Sequence, residues 1–403
     1  MKIPKEILNN QSLYSHSLHF DPINQPRLAE GLQRLHFEKF DNVPGVNIFE
    51  DGSFEVTYFA PRAETVQIRG TGGSMPNTYD LLPDKDMPGY FKTVISDVCP
   101  GFHYVEFLVD GVNAIHIQLP IGYGCSYAMN FLDIPDPDFE WSLLTDVPHG
   151  TIHMEIYKSS VTGRYRNCWV YTPPSYLENP DKRYPVFYVQ HGGGENETGW
   201  LWQGKINYIM DNLLAEGMCE EMIIVMNCGY NFTEQEDGKL QLGQIGDVIC
   251  KDCVPFIDTK YRTIPDKDHR AMAGLSFGSY HAKTTVLQNT DVFSALGIWS
   301  GSAGLVSGQG MSSNPDSARA QFSLPFYDFS SIIDNIDVFN EKLHLMFIGY
   351  GDQELNLVEA NREPSEKLIE EGYHIVNREY PGYHEWNVWR RCAFDMLQLL
   401  FKW

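Results

Sequence analysis

Gly274-Leu275-Ser276-Phe277-Gly278 constrains this chain more than any other stretch. An apolar lead-in, Arg270 to Ala273, runs into this G-x-S-x-G pentad, and a helix-compatible run from Tyr280 to Leu287 follows. A strand that turns at once into a helix holds a serine hydroxyl at the top of a sheet. Gly274 and Gly278 suit such a turn, because a Cβ at either place would crowd it. Ser279 stands where a glycine is often found, and it is small enough to be tolerated. A look-alike, Gly124-Cys125-Ser126-Tyr127-Ala128, lacks the strand–turn–helix surroundings and reads as a loop.

The rest of the chain divides by hydrophobic period. Residues 1–40 form a polar N-terminal segment, with a short helix expected around Arg27 to Leu35. Over 41–138 the period is two: Ser53 to Phe59, Thr65 to Arg69, Phe91 to Ile95 and His103 to Val109 alternate, and Asp110-Gly111 turns the last into a strand from Val112 to Gln118. Short strands at this spacing with no helical run predict a β-sandwich of immunoglobulin-like size. Ile134-Pro135-Asp136-Pro137-Asp138 reads as a stiff, solvated linker.

Over 139–403 strands and helices alternate. Thr151 to Tyr157 and Arg166 to Thr172 form a predicted hairpin across Val161 to Gly163. Tyr184 to Gln190 and Met222 to Met226 are near-continuous apolar runs, as in a parallel sheet covered on both faces. Further strands are expected at Arg270 to Leu275, Ala295 to Trp299, Leu343 to Ile348 and Ile375 to Tyr380. Helices are expected near Ile206 to Leu214, Asp247 to Asp258, Leu357 to Glu371 and Val388 to Lys402. The fold class is therefore α/β: eight strands with an antiparallel start describe an α/β-hydrolase sheet, preceded here by the small β-domain.

Composition narrows the partners. A net charge of -23 over 403 residues sets the chain against nucleic acid and anionic membrane, which carry the same sign. No run approaches the roughly 18 apolar residues of a membrane span. The first ten residues contain no apolar signal core, which predicts a cytoplasmic protein; a leader already cleaved would instead make it secreted. Cys250 and Cys253 share one face of an expected helix, but no second pair accompanies them, so they read as buried free thiols, and no metal is expected.

A serine hydroxyl needs a base within hydrogen-bond reach, itself oriented by a carboxylate. In this fold the partners follow in the order serine, acid, histidine, each in a loop after a strand. His384 fits the base, in the turn Pro381 to Trp386 ahead of the last helix; His281, His344 and His374 fall on elements. Asp352 fits the acid, just past the strand ending at Ile348. Aspartate is also a favoured helix N-cap, and Glu354 is the alternative carboxylate. Donors for an oxyanion are expected at the N–H of Phe277 and in His191-Gly192-Gly193-Gly194, with Gly193 favoured over Gly192 and the neighbouring glycine lining the substrate site. All eight tryptophans lie at or after Trp141, so the β-domain has none. Trp200, Tyr230, Trp299 and Trp386 each fall at a carboxyl end of the predicted sheet, which suggests an aromatic-walled cleft for a phenolic ring or a sugar face. Residues 305–329 make a long insertion that could form a lid.

His191 to Trp200, Tyr261-Arg262-Thr263-Ile264-Pro265 ahead of Ala273 to Ser276, and Gly382-Tyr383-His384-Glu385-Trp386 resemble the motifs of carbohydrate esterase family 1. That family includes feruloyl esterases, acetyl xylan esterases and relatives of the enterochelin esterases. Pro148-His149-Gly150 and Val170 to Pro174 are similar to the segments that open its catalytic domain, and the β-domain resembles the early-set, glycogen-binding-like domain often fused ahead of it. The resemblance implies a Ser276–His384–Asp352 serine esterase without cofactor, a feruloyl esterase acting on xylan-derived oligosaccharides, with acetyl xylan esterase or siderophore trilactone esterase as neighbouring readings. Ser279 and Glu385 depart from the usual glycine and aspartate, which bears on substrate fit. Without tryptophan, packing or homodimer formation suits the β-domain at least as well as gripping sugar. A different class remains open as well: a non-catalytic carbohydrate-binding protein on an esterase fold.

Overall fold

The structure, a computed structural model, describes residues 2–10, 13, 45–234, 240–243, 245–305 and 327–403. The helix expected around Arg27 to Leu35 and nearly all of the 305–329 insertion lie outside the described residues.

The first nine strands belong to one β-rich domain: β1 (Val46–Ile48), β2 (Phe54–Phe59), β3 (Val66–Gly70), β4 (Thr78–Pro83), β5 (Tyr90–Ile95), β6 (Gly101–Val109), β7 (Val112–Ala114), β8 (Ile121–Gly124) and β9 (Tyr127–Ile134). They pair antiparallel in the order β1-β2-β5-β4-β3-β6-β9-β8, with β7 on β6. In a flat sheet β2 and β6 would lie about 19 Å apart, four strand spacings. Instead Tyr58 of β2 meets Phe107 of β6 with ring centroids 5.2 Å apart, so the sheet folds over on itself. Phe54, Val56, Ile68, Phe91, Phe107 and Leu132 fill the space enclosed.

Asp110 and Gly111 both take positive φ, 49° and 78°, the backbone of a tight primed hairpin turn. The strand after it stops at Ala114 rather than continuing to Gln118. His116 turns inward there: its N–H donates to Asn130 Oδ1 and its buried ring meets the Thr57 carbonyl. The Gly124 to Ala128 look-alike is the β8–β9 hairpin, with Cys125 and Ser126 at φ 52° and 73°.

The α/β domain carries an eight-stranded sheet. Its strands are β10 (Thr151–Lys158), β11 (Tyr165–Thr172), β12 (Val186–Gln190), β13 (Ile223–Asn227), β16 (Arg270–Leu275), β17 (Ala295–Trp299), β18 (Leu345–Gly351) and β19 (Ile375–Tyr380); β14 (Phe232–Glu234) and β15 (Leu240–Leu242) make a separate hairpin. The order is β10-β11-β13-β12-β16-β17-β18-β19, antiparallel at β10 and β11 and parallel from β13 onward. The apolar runs predicted as doubly covered strands are buried throughout, and their alternate residues feed two different cores. Val186, Tyr188, Ile223 and Val225 face helices Val254–Lys260 and Phe277–Gln288. Phe187, Val189, Ile224 and Met226 face helices Ile206–Ala215 and Trp386–Leu397. Phe102 and Phe131 of the β-domain join that second core, so the two domains share apolar packing.

Ile134 to Asp138 is not a free spacer. Both oxygens of Asp133 accept from Arg390, at 2.9 and 2.8 Å, with both side chains buried. Arg390 also donates to the Gln203 carbonyl, so its charge is fully hydrogen-bonded, as burial demands. Asp136 accepts from Arg391. The link is bolted to the last helix. Among the described residues, no helix is long and apolar enough to cross a membrane.

Candidate active site

Ser276 joins β16 to the helix Phe277–Gln288 at φ 53° and ψ -117°. That backbone lies outside the region a non-glycine residue normally occupies and costs on the order of 1–3 kcal/mol. Local packing holds it. The Ser276 N–H donates to the Trp299 carbonyl at 2.8 Å, and its own carbonyl accepts from the N–H and hydroxyl of Ser279 at 3.0 and 2.6 Å. The residue read as a tolerated departure from glycine is thus a clamp on the turn. A Cβ on Gly274 would come 2.2 Å from the Gly278 carbonyl oxygen, and one on Gly278 would come 2.4 Å from that of His191. The serine is half-buried.

His384 stands in the loop after β19 with its side chain about half exposed. Its Nδ1 meets a carboxylate at 2.6 Å, and that carboxylate is Glu354. The second oxygen of Glu354 accepts from Ser300 Oγ and the Gly351 N–H, each at 2.7 Å. Ser300 Oγ in turn accepts from Trp389 Nε1 at 2.8 Å, and the Trp389 ring stands edge-on to the imidazole, centroids 5.2 Å apart. The expectation for Asp352 is corrected here. β18 runs to Gly351, three residues past its predicted end, so Asp352 still sits in register with β19, its N–H on the Tyr380 carbonyl. Its Oδ1 accepts from the Gly382 N–H at 3.0 Å and from Gln353. Asp352 holds the loop that carries His384, and Glu354, one tight turn later, reaches the imidazole.

The glycine loop passes over the elbow. A Cβ on Gly192 would lie 3.5 Å from the Ser276 Cβ, and one on Gly193 would lie 3.8 Å from the Phe277 Cβ. The Gly192 N–H is committed, donating to Glu195 Oε2 at 2.9 Å. The Gly193 N–H, exposed, has no acceptor among the described residues. The Phe277 N–H opens its helix and belongs to the first turn, whose donors have no intrahelical acceptor. Buried His191 braces the loop: Nε2 accepts from the Gly229 N–H at 2.8 Å, so Nδ1 carries the proton and donates to the Gly192 carbonyl. Burial pushes that imidazole down to about 4, keeping it neutral.

The aromatic expectation divides. Trp200, Trp299 and Trp386 are at most 1% exposed, so they wall no open cleft. They stack edge to face beneath the loops, Trp200 meeting Trp299 at 4.9 Å and Trp386 at 5.0 Å, and Trp200 Nε1 donates to the Gln190 carbonyl. A carboxyl-end position says where a ring starts, not whether it points inward. Tyr230 does lie at the surface of the site, half-buried, in a run of stacked rings: Phe232 at 5.7 Å on one side and Phe277 at 6.4 Å on the other. Tyr280 extends the run from Phe277 at 6.3 Å. The Tyr230 hydroxyl accepts from the Gly194 N–H.

Two residues that sequence reasoning missed complete the arrangement. Glu195 is buried, and burial pushes its carboxyl up to about 7. Its Oε1 accepts from Trp386 Nε1 and from the hydroxyl of Tyr104 in the β-domain, both at 2.9 Å.

The esterase family model matches residues 159–400 of this chain. The chain is 30% identical over 363 residues to an endo-1,4-beta-xylanase/feruloyl esterase of Xylanibacter ruminicola, covering 85% of this chain and 44% of that protein. It is 31% identical over 158 residues to endo-1,4-beta-xylanase Y of Acetivibrio thermocellus, covering 36% of this chain and 13% of that one. The chain therefore spans less than half the length of these curated relatives. Among solved structures, the fold is similar to a CE1 ferulic acid esterase of Anaeromyces mucronatus in complex with ferulic acid, with TM-score 0.51, 22% identity and coverage of 66% of this chain and 96% of that one. It is also similar to the enterobactin esterase of Shigella flexneri, with TM-score 0.60, 15% identity and coverage of 87% and 94%.

Proposed function

Because the chain belongs to the esterase family, we propose that it is a serine hydrolase of carboxylic esters, and that its substrates are ferulate esters of xylan-derived oligosaccharides. The observation that carries the reading is the Glu354–His384 pair in the loops after β18 and β19, at the same carboxyl edge of the sheet as the strained Ser276 after β16, where the glycine loop leaves the Gly193 N–H unengaged. With Nδ1–H donated to Glu354, the basic nitrogen of His384 is Nε2. It takes the proton from Ser276 Oγ as that oxygen attacks the ester carbonyl, and returns it to the departing alcohol. The Gly193 and Phe277 N–H groups receive the oxyanion, each such donor being worth roughly 3 kcal/mol. Water, deprotonated by the same imidazole, then cleaves the acyl-enzyme.

For the acyl group, the stacked run of Phe232, Tyr230, Phe277 and Tyr280 offers ring faces to a phenolic acid next to the serine. The name of the Xylanibacter relative supports the same choice. The folded-over β-sheet with its single core supports reading the first domain as an immunoglobulin-like sandwich.

The test is turnover of methyl ferulate against that of a short aryl acetate, with Ser276→Ala as the blank. The proposal expects ferulate to be preferred by kcat/KM and both activities to vanish in the blank. Preference for the acetate would move the reading to an acetyl esterase. Binding of feruloylated oligosaccharide without turnover would favour a non-catalytic carbohydrate-binding role.

A further inference from the structure

The β-domain reaches the catalytic loops at three points. At the first, the Cys125–Ser126 turn sits on Gly194: the Ser126 N–H donates to the Gly194 carbonyl at 2.9 Å. Gly194 has φ +80°, and a Cβ there would come 2.8 Å from the Ser126 nitrogen, so the loop and the hairpin tip are in backbone contact. At the second, Ser74 Oγ donates to Glu385 Oε2 at 2.6 Å, one residue beyond the candidate base, and a Cβ on Gly73 would come 2.5 Å from the Tyr383 ring. The third, between them, is Tyr104 on Glu195.

Resting on the esterase reading above, we propose that Glu195 is a positioning residue that locks the oxyanion loop to the first residue of the helix that follows the His384 loop, and to the β-domain, so that the β-domain is a working part of the hydrolytic site. The argument is one of donors and acceptors. Glu195 faces the Gly192 N–H, the Trp386 Nε1–H and the Tyr104 hydroxyl, in a place closed to solvent. Two of these groups are N–H donors that accept nothing, and they approach opposite oxygens of the carboxyl. Trp386 Nε1 also lies 3.2 Å from the Tyr104 hydroxyl, but only a side chain with an acceptor at both ends meets both N–H groups directly, each at 2.9 Å. A glutamine in the same place must turn its NH₂ toward either Gly192 or Trp386, leaving donor against donor in a buried site, an arrangement that costs about 1–3 kcal/mol. The strain falls on Gly192, and Gly193 is the next residue. Tyr104 has further partners: its hydroxyl receives Gln203 Nε2 at 2.8 Å and Trp386 Nε1 at 3.2 Å, and lies 3.1 Å from the Tyr123 carbonyl of its own domain. The β-domain thus holds one end of the lock.

A small misplacement of an oxyanion donor lowers the rate of the chemical step while leaving ground-state binding largely intact. The full chain is assayed with a 4-nitrophenyl ester and with methyl ferulate, together with the affinity for an aryl trifluoromethyl ketone, whose adduct with Ser276 places an oxyanion in the same pocket. Glu195→Gln should lower kcat by about tenfold to a hundredfold with KM changed less than about threefold, and ketone affinity should fall with kcat. Tyr104→Phe, a change confined to the β-domain, should lower kcat and ketone affinity together by about threefold to tenfold. A folded Glu195→Gln protein with wild-type kcat, or one whose whole loss lies in KM, overturns the lock. If Glu195→Gln does not fold, Tyr104→Phe decides, and unchanged kcat and ketone affinity there overturn it. A wild-type chain that turns over no ester would instead fail the parent reading, an outcome separate from these.

Discussion

The two halves of the site are built in opposite ways. On the serine side, the side chains that shape the turn are near neighbours of Ser276, with only the carbonyls of Trp299 and His191 brought in from elsewhere: Gly274 and Gly278 make room, and Ser279 clamps the carbonyl. On the side of the histidine and the glycine loop, short-range bonds are joined by holds from far along the chain. His384 is oriented by Glu354, which is held by Ser300, and the oxyanion loop is tied through Glu195 to Tyr104, 91 residues away. A contiguous device is specified by a motif; a converging one is specified only by the fold. Substitutions on the first side should therefore act through the backbone, and those on the second through a chain of hydrogen bonds.

The largest effect that sharpens this contrast is on the carboxylates. Glu354→Gln should lower kcat by about 10³ to 10⁴, the cost of losing the tautomer-fixing carboxylate of a triad. Asp352→Asn keeps an acceptor for the Gly382 N–H and should stay within about tenfold of wild type in steady-state kinetics. Equal losses in the two variants would break the distinction between them.

A smaller effect is expected on the serine side. Gly278→Ala drives a methyl into the His191 carbonyl and should lower the unfolding free energy by about 3 kcal/mol, read from urea denaturation. A change below about 0.5 kcal/mol would mean that the turn and the glycine loop are not packed as described.

The smallest effect is the pH dependence of stability contributed by Glu195. Its folded carboxyl titrates at about 7 against an ordinary 4.5, so between those values the folded chain holds a proton that the unfolded chain has released. Stability should therefore decline as pH rises through that window, with no penalty from this group below it and the full penalty above. Tyr104, Tyr230, Cys125 and His384 are the titratable groups coupled to it. Glu195→Gln should flatten the decline, measured as the difference in urea midpoint slope between the two proteins; a decline unchanged in the variant would assign it to other groups.

The same contrast explains what could be read from the residues alone. The elbow, the eight-stranded sheet and the Asp110–Gly111 turn were legible because period and local sterics determine them. Glu354 was visible only as an alternative, since choosing it over Asp352 requires knowing that β18 runs on to Gly351. The tryptophans misled because burial under the loops is a tertiary property. Tyr104 and Glu195 left no local signal at all: a tyrosine in an alternating strand and a glutamate in a polar loop look ordinary until the two domains are packed. The Ile134 to Asp138 run looked like a spacer for the same reason, because Arg391, which pins Asp136, and Arg390, which pins Asp133 just before it, lie at the far end of the chain.

The central claim is that His384 Nδ1–H is held by Glu354. Proton NMR of the imidazole N–H reads that bond directly, as a strongly deshielded resonance. The structure predicts that this resonance persists in Asp352→Asn and disappears in Glu354→Gln; its loss in Asp352→Asn with retention in Glu354→Gln would contradict the account.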